Sequence, residues 1–266
     1  MVNADSSAGY FEYLQKRLVK DGFDKNRIKN IYNTSQVYFD TEHASLFFRH
    51  SEARLNYNQF TSVESIQRAQ EYMHNHIVEL AWAEREYGVD KEIITAIILV
   101  ESNLGKTLGK SSVLNTLSTI ASLSDSGLRV MLWDKIQNPG RLSRKDFEKK
   151  AQKKSKWAYK ELKAFIKYTE REKMDSREAY GSYAGAMGIA QFMPSNILKL
   201  AKDGNKDGRI DLYNHTDAMA SIANYLKHYG WHPEIDRKKA YKVLYHYNHS
   251  SYYVDTLLMI AKLLKS

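Results

Sequence analysis

The sequence predicts a mainly α-helical protein with little or no β-sheet. Three observations point there. Apolar residues recur at three- and four-residue spacing, capping residues precede several of these runs, and the alternating pattern of a half-buried strand is scarce. Only three prolines interrupt the 266 residues. A chain of this length can bury a real core, in one large domain or two small ones. Its 43% hydrophobic and 27% charged residues are ordinary for a globular protein, and no apolar run is long enough to span a bilayer.

The elements follow in order. Phe11, Leu14 and Leu18 share one helical face, and Gly22 offers a stop. Asp24 is placed to cap a short helix carrying Ile28 and Ile31. Thr61-Ser62-Val63-Glu64 has capping-box spacing and opens a helix expected to run to about Tyr87, closed by Gly88. Asp90 then caps a helix from Lys91 to about Asn103. Asn138-Pro139-Gly140 reads as a turn, and Ser143 with Asp146 begins a charged helix reaching about Tyr168. No internal repeat is visible. Residues 1–75 are expected to form a helical N-terminal part packed against a larger core, residues 76–266.

The net charge of +9 favours anionic partners. Nine Lys or Arg residues lie between Arg141 and Lys160, against Asp146 and Glu148. A solvated helix face explains such a cluster, and attraction to an anionic polymer is the functional alternative. No nucleic-acid motif accompanies it, so no nucleic-acid partner is expected. The absence of cysteine excludes thiol catalysis, disulfides, cysteine-ligated metals and cysteine-linked lipid in this chain. Met1-Val2-Asn3-Ala4-Asp5 lacks a basic stretch followed by an apolar one, so no signal peptide is expected there.

Chemistry concentrates in three segments. In Ile93 to Gly105, Glu101 falls seven residues after Ile94, four after Ile97 and three after Ile98, on their helical face. A carboxyl drawn out of water there gains a raised pKa, as a general acid near neutral pH requires. An acid turned outward at the helix end would have the same sequence. The second segment, Gly181-Ser182-Tyr183-Ala184-Gly185-Ala186-Met187-Gly188-Ile189-Ala190-Gln191-Phe192-Met193-Pro194-Ser195, allows close backbone approach and offers Ser182 and Gln191 as neutral polar groups. Tight helix packing explains it as well as ligand binding does. The third, Tyr247-Asn248-His249-Ser250-Ser251-Tyr252-Tyr253, offers aromatic faces and an amide, in a chain with 19 tyrosines.

Together and in this order, the segments resemble the B family of membrane-bound lytic murein transglycosylases. Asp203 to Trp231 and, more weakly, Lys153-Lys154 through Trp157 to Phe165 also match. The resemblance covers roughly the last two-thirds of the chain. It implies a lysozyme-like helical core with a groove for peptidoglycan glycan strands. Glu101 occupies the catalytic position, as acid and then as base, and the product is a 1,6-anhydromuramyl end. The two-carboxylate arrangement of most glycosidases is replaced in this family by the substrate's own N-acetyl oxygen. No second acid accompanies Glu101 in the three segments. The resemblance places Ser182, Gln191, Tyr225, Tyr247, Asn248 and Tyr253 along the groove, and Lys153 and Lys154 facing muropeptide. It also implies a periplasmic or cell-envelope location and no organic cofactor, and a monomer is expected. The segment from Trp231 to Tyr247 is shorter than the family's usual insertion, and Ser122 to Gln152 is longer than expected.

Asp203-Gly204-Asn205-Lys206-Asp207-Gly208-Arg209-Ile210-Asp211 matches the start of an EF-hand loop, with oxygen ligands at positions 1, 3 and 5 and Gly at 6. Asn214 stands where a bidentate Glu belongs, and Asp217 lies three residues on. The resemblance implies a longer calcium loop, 203–217, with Asp203, Asn205, Asp207, the Arg209 carbonyl and Asp217 holding a structural Ca2+. A plain Asp/Asn/Gly surface turn is the alternative. Two other readings of the whole chain stand beside transglycosylation: a hydrolytic muramidase, and a non-catalytic calcium-dependent glycan-binding module.

Overall fold

The structure, a computed structural model, describes residues 7–49, 56–136 and 142–266. The Asn138-Pro139-Gly140 turn and the opening Met1 to Asp5 stretch lie outside the described residues. The first helices are α1 (Ser7–Tyr10), α2 (Glu12–Lys20), α3 (Lys25–Tyr32) and α4 (Thr41–Arg49). A 3-10 turn, Tyr57–Thr61, precedes α5 (Val63–Asn75), α6 (Ile77–Tyr87) and α7 (Lys91–Ser102). Strand β1 (Ser111–Ser112), α8 (Val113–Ser122), α9 (Ser126–Lys135), α10 (Arg144–Arg171) and strand β2 (Tyr180–Gly181) follow. The chain then runs through α11 (Pro194–Leu200), α12 (His215–His228), α13 (Arg237–Tyr247) and α14 (Ser251–Lys265). The mainly α fold expected from the sequence is therefore observed. Among the described residues the one sheet is β1 against β2, antiparallel, with Ser111 facing Gly181 and Ser112 facing Tyr180.

Many boundaries follow the signals read above. Asp24 Oδ1 accepts the Arg27 N–H at 2.7 Å, and Ser143 Oγ accepts that of Asp146 at 3.1 Å. Gly88 ends α6 at φ +69°, a left-handed conformation that glycine adopts without steric cost. Three details differ. The helix expected to reach Tyr87 unbroken divides at His76, whose backbone leaves the helical region at φ −119°. The His76 ring stacks there on His215 and lies tilted against Tyr72, so side-chain packing overrides the helical periodicity. Ser62, not Thr61, caps α5, accepting the Ser65 N–H at 3.3 Å, while the Thr61 hydroxyl donates to the Asn58 carbonyl. Asp90 precedes α7 but makes no side-chain cap; its carboxylate is taken by Lys265 and Trp231 instead.

The backbone divides into two compact units, so the first 75 residues are shared between both. The first unit comprises Met1–His50, Gly109–Met187 and Met193–Leu198. Its centre is α8, buried along its whole length; α10, with Phe147, Ala151, Ala158, Leu162 and Phe165 buried, packs against it. A fully buried helix with polar residues needs partners for them. Ser118 shares a hydrogen bond with the Tyr32 hydroxyl at 2.7 Å, and Thr119 accepts the Asp40 N–H at 2.8 Å. The Asn115 amide donates to the Gln36 carbonyl.

The second unit comprises Ser51–Leu108, Gly188–Phe192 and Lys199–Ser266. Here α7 is the buried helix, with Ile93, Ile94, Ile97, Ile98 and Leu99 all at most 1% exposed. Each such side chain stabilises the fold by about 1.5–3 kcal/mol. Helices α5, α6 and α14 pack around it, and α12 packs on α6. The Asp90 carboxylate ties the start of α7 to the end of α14 through Lys265 Nζ at 2.6 Å.

Candidate active site

The second unit gathers most of the residues singled out by sequence. Helix α7 stops abruptly just past Glu101. The Leu104 N–H reaches back to the Ile98 carbonyl and the Asn103 N–H to that of Leu99, a Schellman-type ending. Asn103, Leu104 and Gly105 take successive positive φ values of 49°, 61° and 82°. Asparagine tolerates that region and glycine is free in it, whereas leucine adopts it at a cost. Glu101 is thereby held in the last helical turn, half-buried, behind the closed Ile94–Ile97–Ile98 face.

The Tyr253 hydroxyl donates to Glu101 Oε1 at 2.6 Å. Tyr253 is 1% exposed, and the Ser250 hydroxyl caps the start of its helix, α14, by accepting the Tyr253 N–H. Its ring lies nearly parallel to that of Tyr247, at 14° and 6.4 Å between centroids, and edge-on to Tyr57 at 6.5 Å. Tyr247 closes α13 and donates its hydroxyl to the Ala190 carbonyl at 2.6 Å. Burial first, and the Glu101 charge second, push both phenols well above their ordinary pKa, so both remain protonated donors. Tyr225 on α12 sits behind them, its hydroxyl on the His246 carbonyl and its ring against Phe192, Tyr229 and Tyr247.

Gln191 takes φ +47° and spends its amide nitrogen on the carbonyls of Gly188 at 2.8 Å and Leu108 at 3.4 Å. Gly188 is required beneath it. A Cβ there would lie 2.4 Å from the Leu212 carbonyl oxygen, in a left-handed conformation. Asn248 ends α13 in an extended conformation, and among the described residues its side-chain amide has no hydrogen-bond partner. Tyr57, in the 3-10 turn, joins the tyrosine cluster although the sequence reading did not select it. Its segment carries no motif, and an aromatic in a short turn gives no period to read.

Ser182, Lys153 and Lys154 belong to the first unit. The Ser182 hydroxyl accepts the N–H groups of Ala184 and Ala186, which makes it the organiser of its own turn. Lys153 is exposed on α10. Lys154 lies over the Phe47 and Trp157 rings, themselves parallel within 8°. Burial, with Lys150 and Lys153 nearby, pushes its ammonium pKa down.

In the 203–217 loop, Asp203, Asn205 and Asp207 turn their oxygens inward onto loop N–H groups. Asp203 accepts from Asp207 and Gly208, Asn205 from Asp207, and Asp207 from Arg209. Gly208, the sixth position, has φ +88°. Asp217 is fully buried and accepts from Gly204, Asn205 and Asp211. The donor types suit a hard cation such as Ca2+. Among the described residues, however, no three His, Cys, Asp or Glu side chains cluster as a metal set. The loop also braces the site: the Leu212 carbonyl accepts the Ile189 N–H at 2.8 Å, two residues from Gln191.

Glu101 is thus a half-buried carboxyl held by a phenol in a cluster of tyrosines. The Transglycosylase SLT domain family matches residues 6–237, and the chain belongs to that family. The match takes in the N-terminal third, where the motifs were sparse, and stops short of Tyr247, Asn248 and Tyr253. The chain is 28% identical over 231 residues to membrane-bound lytic murein transglycosylase B of Escherichia coli (strain K12). That alignment covers 83% of this chain and 56% of the relative, so the chain spans little more than half of that protein's length. SltB3 from Pseudomonas aeruginosa, solved in complex with NAG-anhNAM-pentapeptide, matches with a TM-score of 0.75 at 19% identity, covering 98% of this chain and 80% of that one. The Escherichia coli lytic transglycosylase Slt35, solved in complex with calcium, matches with a TM-score of 0.71 at 21% identity, over 98% and 93% of the two chains. These likenesses establish the lysozyme-like lytic transglycosylase fold.

Proposed function

We infer that the chain is a peptidoglycan lytic transglycosylase that cleaves the β-1,4 bond between N-acetylmuramic acid and N-acetylglucosamine. The observation that carries this reading is the 2.6 Å hydrogen bond from Tyr253 to Glu101, inside a tyrosine-walled site of a chain from the SLT domain family. Glu101 delivers its proton to the glycosidic oxygen as the bond to C1 breaks, and the N-acetyl oxygen supports C1 from within the substrate. The Glu101 carboxylate then takes the proton of the muramyl C6 hydroxyl as O6 bonds to C1. The product is a 1,6-anhydro end, no water is consumed, and Glu101 is again an acid.

Tyr253 orients the Glu101 carboxyl, and Tyr247 and Tyr225 supply the rigid aromatic wall behind it. Asn248, with its amide unspent, holds the N-acetyl group, and the Gln191 carbonyl oxygen remains an acceptor for a sugar hydroxyl. The family resemblance adds Ser182 as a groove residue and Lys153 and Lys154 as basic residues toward muropeptide. A structural Ca2+ in the 203–217 loop, held by Asp203, Asn205, Asp207, the Arg209 carbonyl and Asp217, would clamp the segment that braces Gln191. The donor types, the positive φ of Gly208 and the calcium-bound relative support that site. The substrate places the protein in the periplasm or cell envelope. Among the described residues no helix is long and apolar enough to cross a membrane. Digestion of purified peptidoglycan followed by mass spectrometry of the product ends tests the reading. Anhydromuramyl ends support it, reducing ends make the protein a muramidase, and intact sacculi defeat both.

A further inference from the structure

Helix α10, in the first unit, turns a row of lysines outward. Between Lys149 and Lys167 its exposed residues are Lys149, Gln152, Lys153, Lys156, Lys160 and Lys167, with no exposed acid among them. Lys149, Lys156, Lys160 and Lys167 recur at seven-, four- and seven-residue steps. They therefore share one face over about 27 Å of helix. Lys153, at the edge of that face, is left to the role proposed above. The acids beside the row are taken elsewhere. Glu148 pairs with Arg129 at 2.5 Å, and buried Glu161 accepts the Ser195 N–H and hydroxyl, both at 2.9 Å. Lys163, within the row, pairs with Asp21 at 2.7 Å. Among the described residues Lys149, Lys156 and Lys160 form no ion pair.

Like charges one helical turn apart repel, so the row costs the helix stability, whereas a merely solvated face intersperses both signs. The chemistry of the row narrows what it meets. Every charge on it is a lysine, a compact ammonium on a flexible stem, without the planar fork by which arginine grips a single phosphate. No exposed aromatic stands on it for a base or a sugar to stack against. The ammonium groups project from the outer face of one helix, whereas a single polyanionic strand is tracked by a groove. These features fit a flat surface that carries many phosphates. Attraction of lysines to an anionic leaflet accumulates residue by residue, about fivefold in partition for each.

We propose that the lysine face of α10 docks the protein on an anionic phospholipid surface, with Lys149, Lys156 and Lys160 meeting headgroup phosphates. The inference is independent of the glycan chemistry assigned to Glu101. Sedimentation with vesicles tests it, using equimolar phosphatidylcholine and phosphatidylglycerol against phosphatidylcholine alone. The wild type binds the mixed vesicles, leaves them as salt is raised, and ignores the neutral ones. Replacing Lys149, Lys156 and Lys160 together by Gln lowers the partition coefficient about a hundredfold, and replacing the same three by Arg preserves it. Replacing Lys199, Lys238 and Lys242 by Gln removes the same net charge from exposed positions outside α10 and changes the coefficient less than about fivefold. No binding of mixed vesicles by the wild type, equal binding to neutral ones, or equal loss in the two Gln variants overturns the inference. So does loss of binding in the folded Arg variant. Capture of soluble polyphosphate in place of vesicles would give the face to a linear polyanion and overturn it as well.

Discussion

Replacing Tyr253 by Phe removes the hydroxyl that bonds Glu101, the proposed catalytic acid. The change deletes one oxygen from a side chain that is 1% exposed and leaves its ring against Tyr247 and Tyr57. The hydrogen bond lost is the 2.6 Å bond to Glu101. Hydrogen bonds to charged groups contribute about 1.5–3 kcal/mol, and each 1.4 kcal/mol is about a factor of ten in rate. The expected result is a roughly 10- to 100-fold lower initial rate of soluble muropeptide release from purified peptidoglycan. The circular dichroism spectrum should be unchanged. In a Glu101→Gln background the same substitution should cost little more, since the two groups act as one unit. A folded Tyr253→Phe protein within twofold of the wild-type rate would refute the reasoning.

Other consequences follow from the same unit. Burial alone would push the Asp90 carboxyl up, but the Lys265 ammonium and the Trp231 indole together hold it below the usual carboxylate range. A depressed carboxyl contributes stability above its unfolded pKa near 4, which is lost as pH falls through the folded value. Asp90→Asn should therefore cost about 1 kcal/mol at pH 7 in urea unfolding, discounted for an aspartate about one-third exposed. The gap from wild type should begin to narrow as pH falls below about 4 and vanish once pH is below the folded-state value, and a gap that did not narrow on acidification would contradict the assignment. Gly188→Ala forces a Cβ against the Leu212 carbonyl at a left-handed position, with an expected loss of about 2 kcal/mol or more in thermal unfolding. An unchanged melting temperature would show that the turn under Gln191 can relax. For the 203–217 loop, chelation should lower the wild-type melting temperature, and Asp203→Ala should abolish that response. A wild type indifferent to chelator would leave the loop a hydrogen-bonded turn.

Much of the fold was legible because local physics and tertiary packing agree. The apolar face of Ile94, Ile97 and Ile98 buries as its period requires, Asp24 and Ser143 begin helices through side-chain caps, and Gly88 ends one through its left-handed backbone. Where packing competes with local preference, the sequence misleads. His76 breaks a continuous helical pattern by stacking on a histidine 139 positions away in the chain. Asp90 gives up its cap for Lys265 and Trp231, partners supplied by distant elements. The position of Glu101 could be read from its neighbours in sequence, and the adjoining Tyr247 and Tyr253 from their motif. The hydrogen bond between Tyr253 and Glu101 spans 152 positions and no periodicity encodes it. Tyr57 escaped for the same reason. Its place beside Tyr253 comes from how its turn packs against α14.

The central claim is that Glu101 is acid and then base in a reaction that uses no water. The most direct test is mass spectrometry of muropeptides released from purified peptidoglycan by the wild type and by Glu101→Gln, run in H2(18)O. The account predicts 1,6-anhydromuramyl ends without 18O from the wild type and no release above background from a folded Glu101→Gln protein. Reducing ends carrying 18O, or undiminished release by Glu101→Gln, would contradict it.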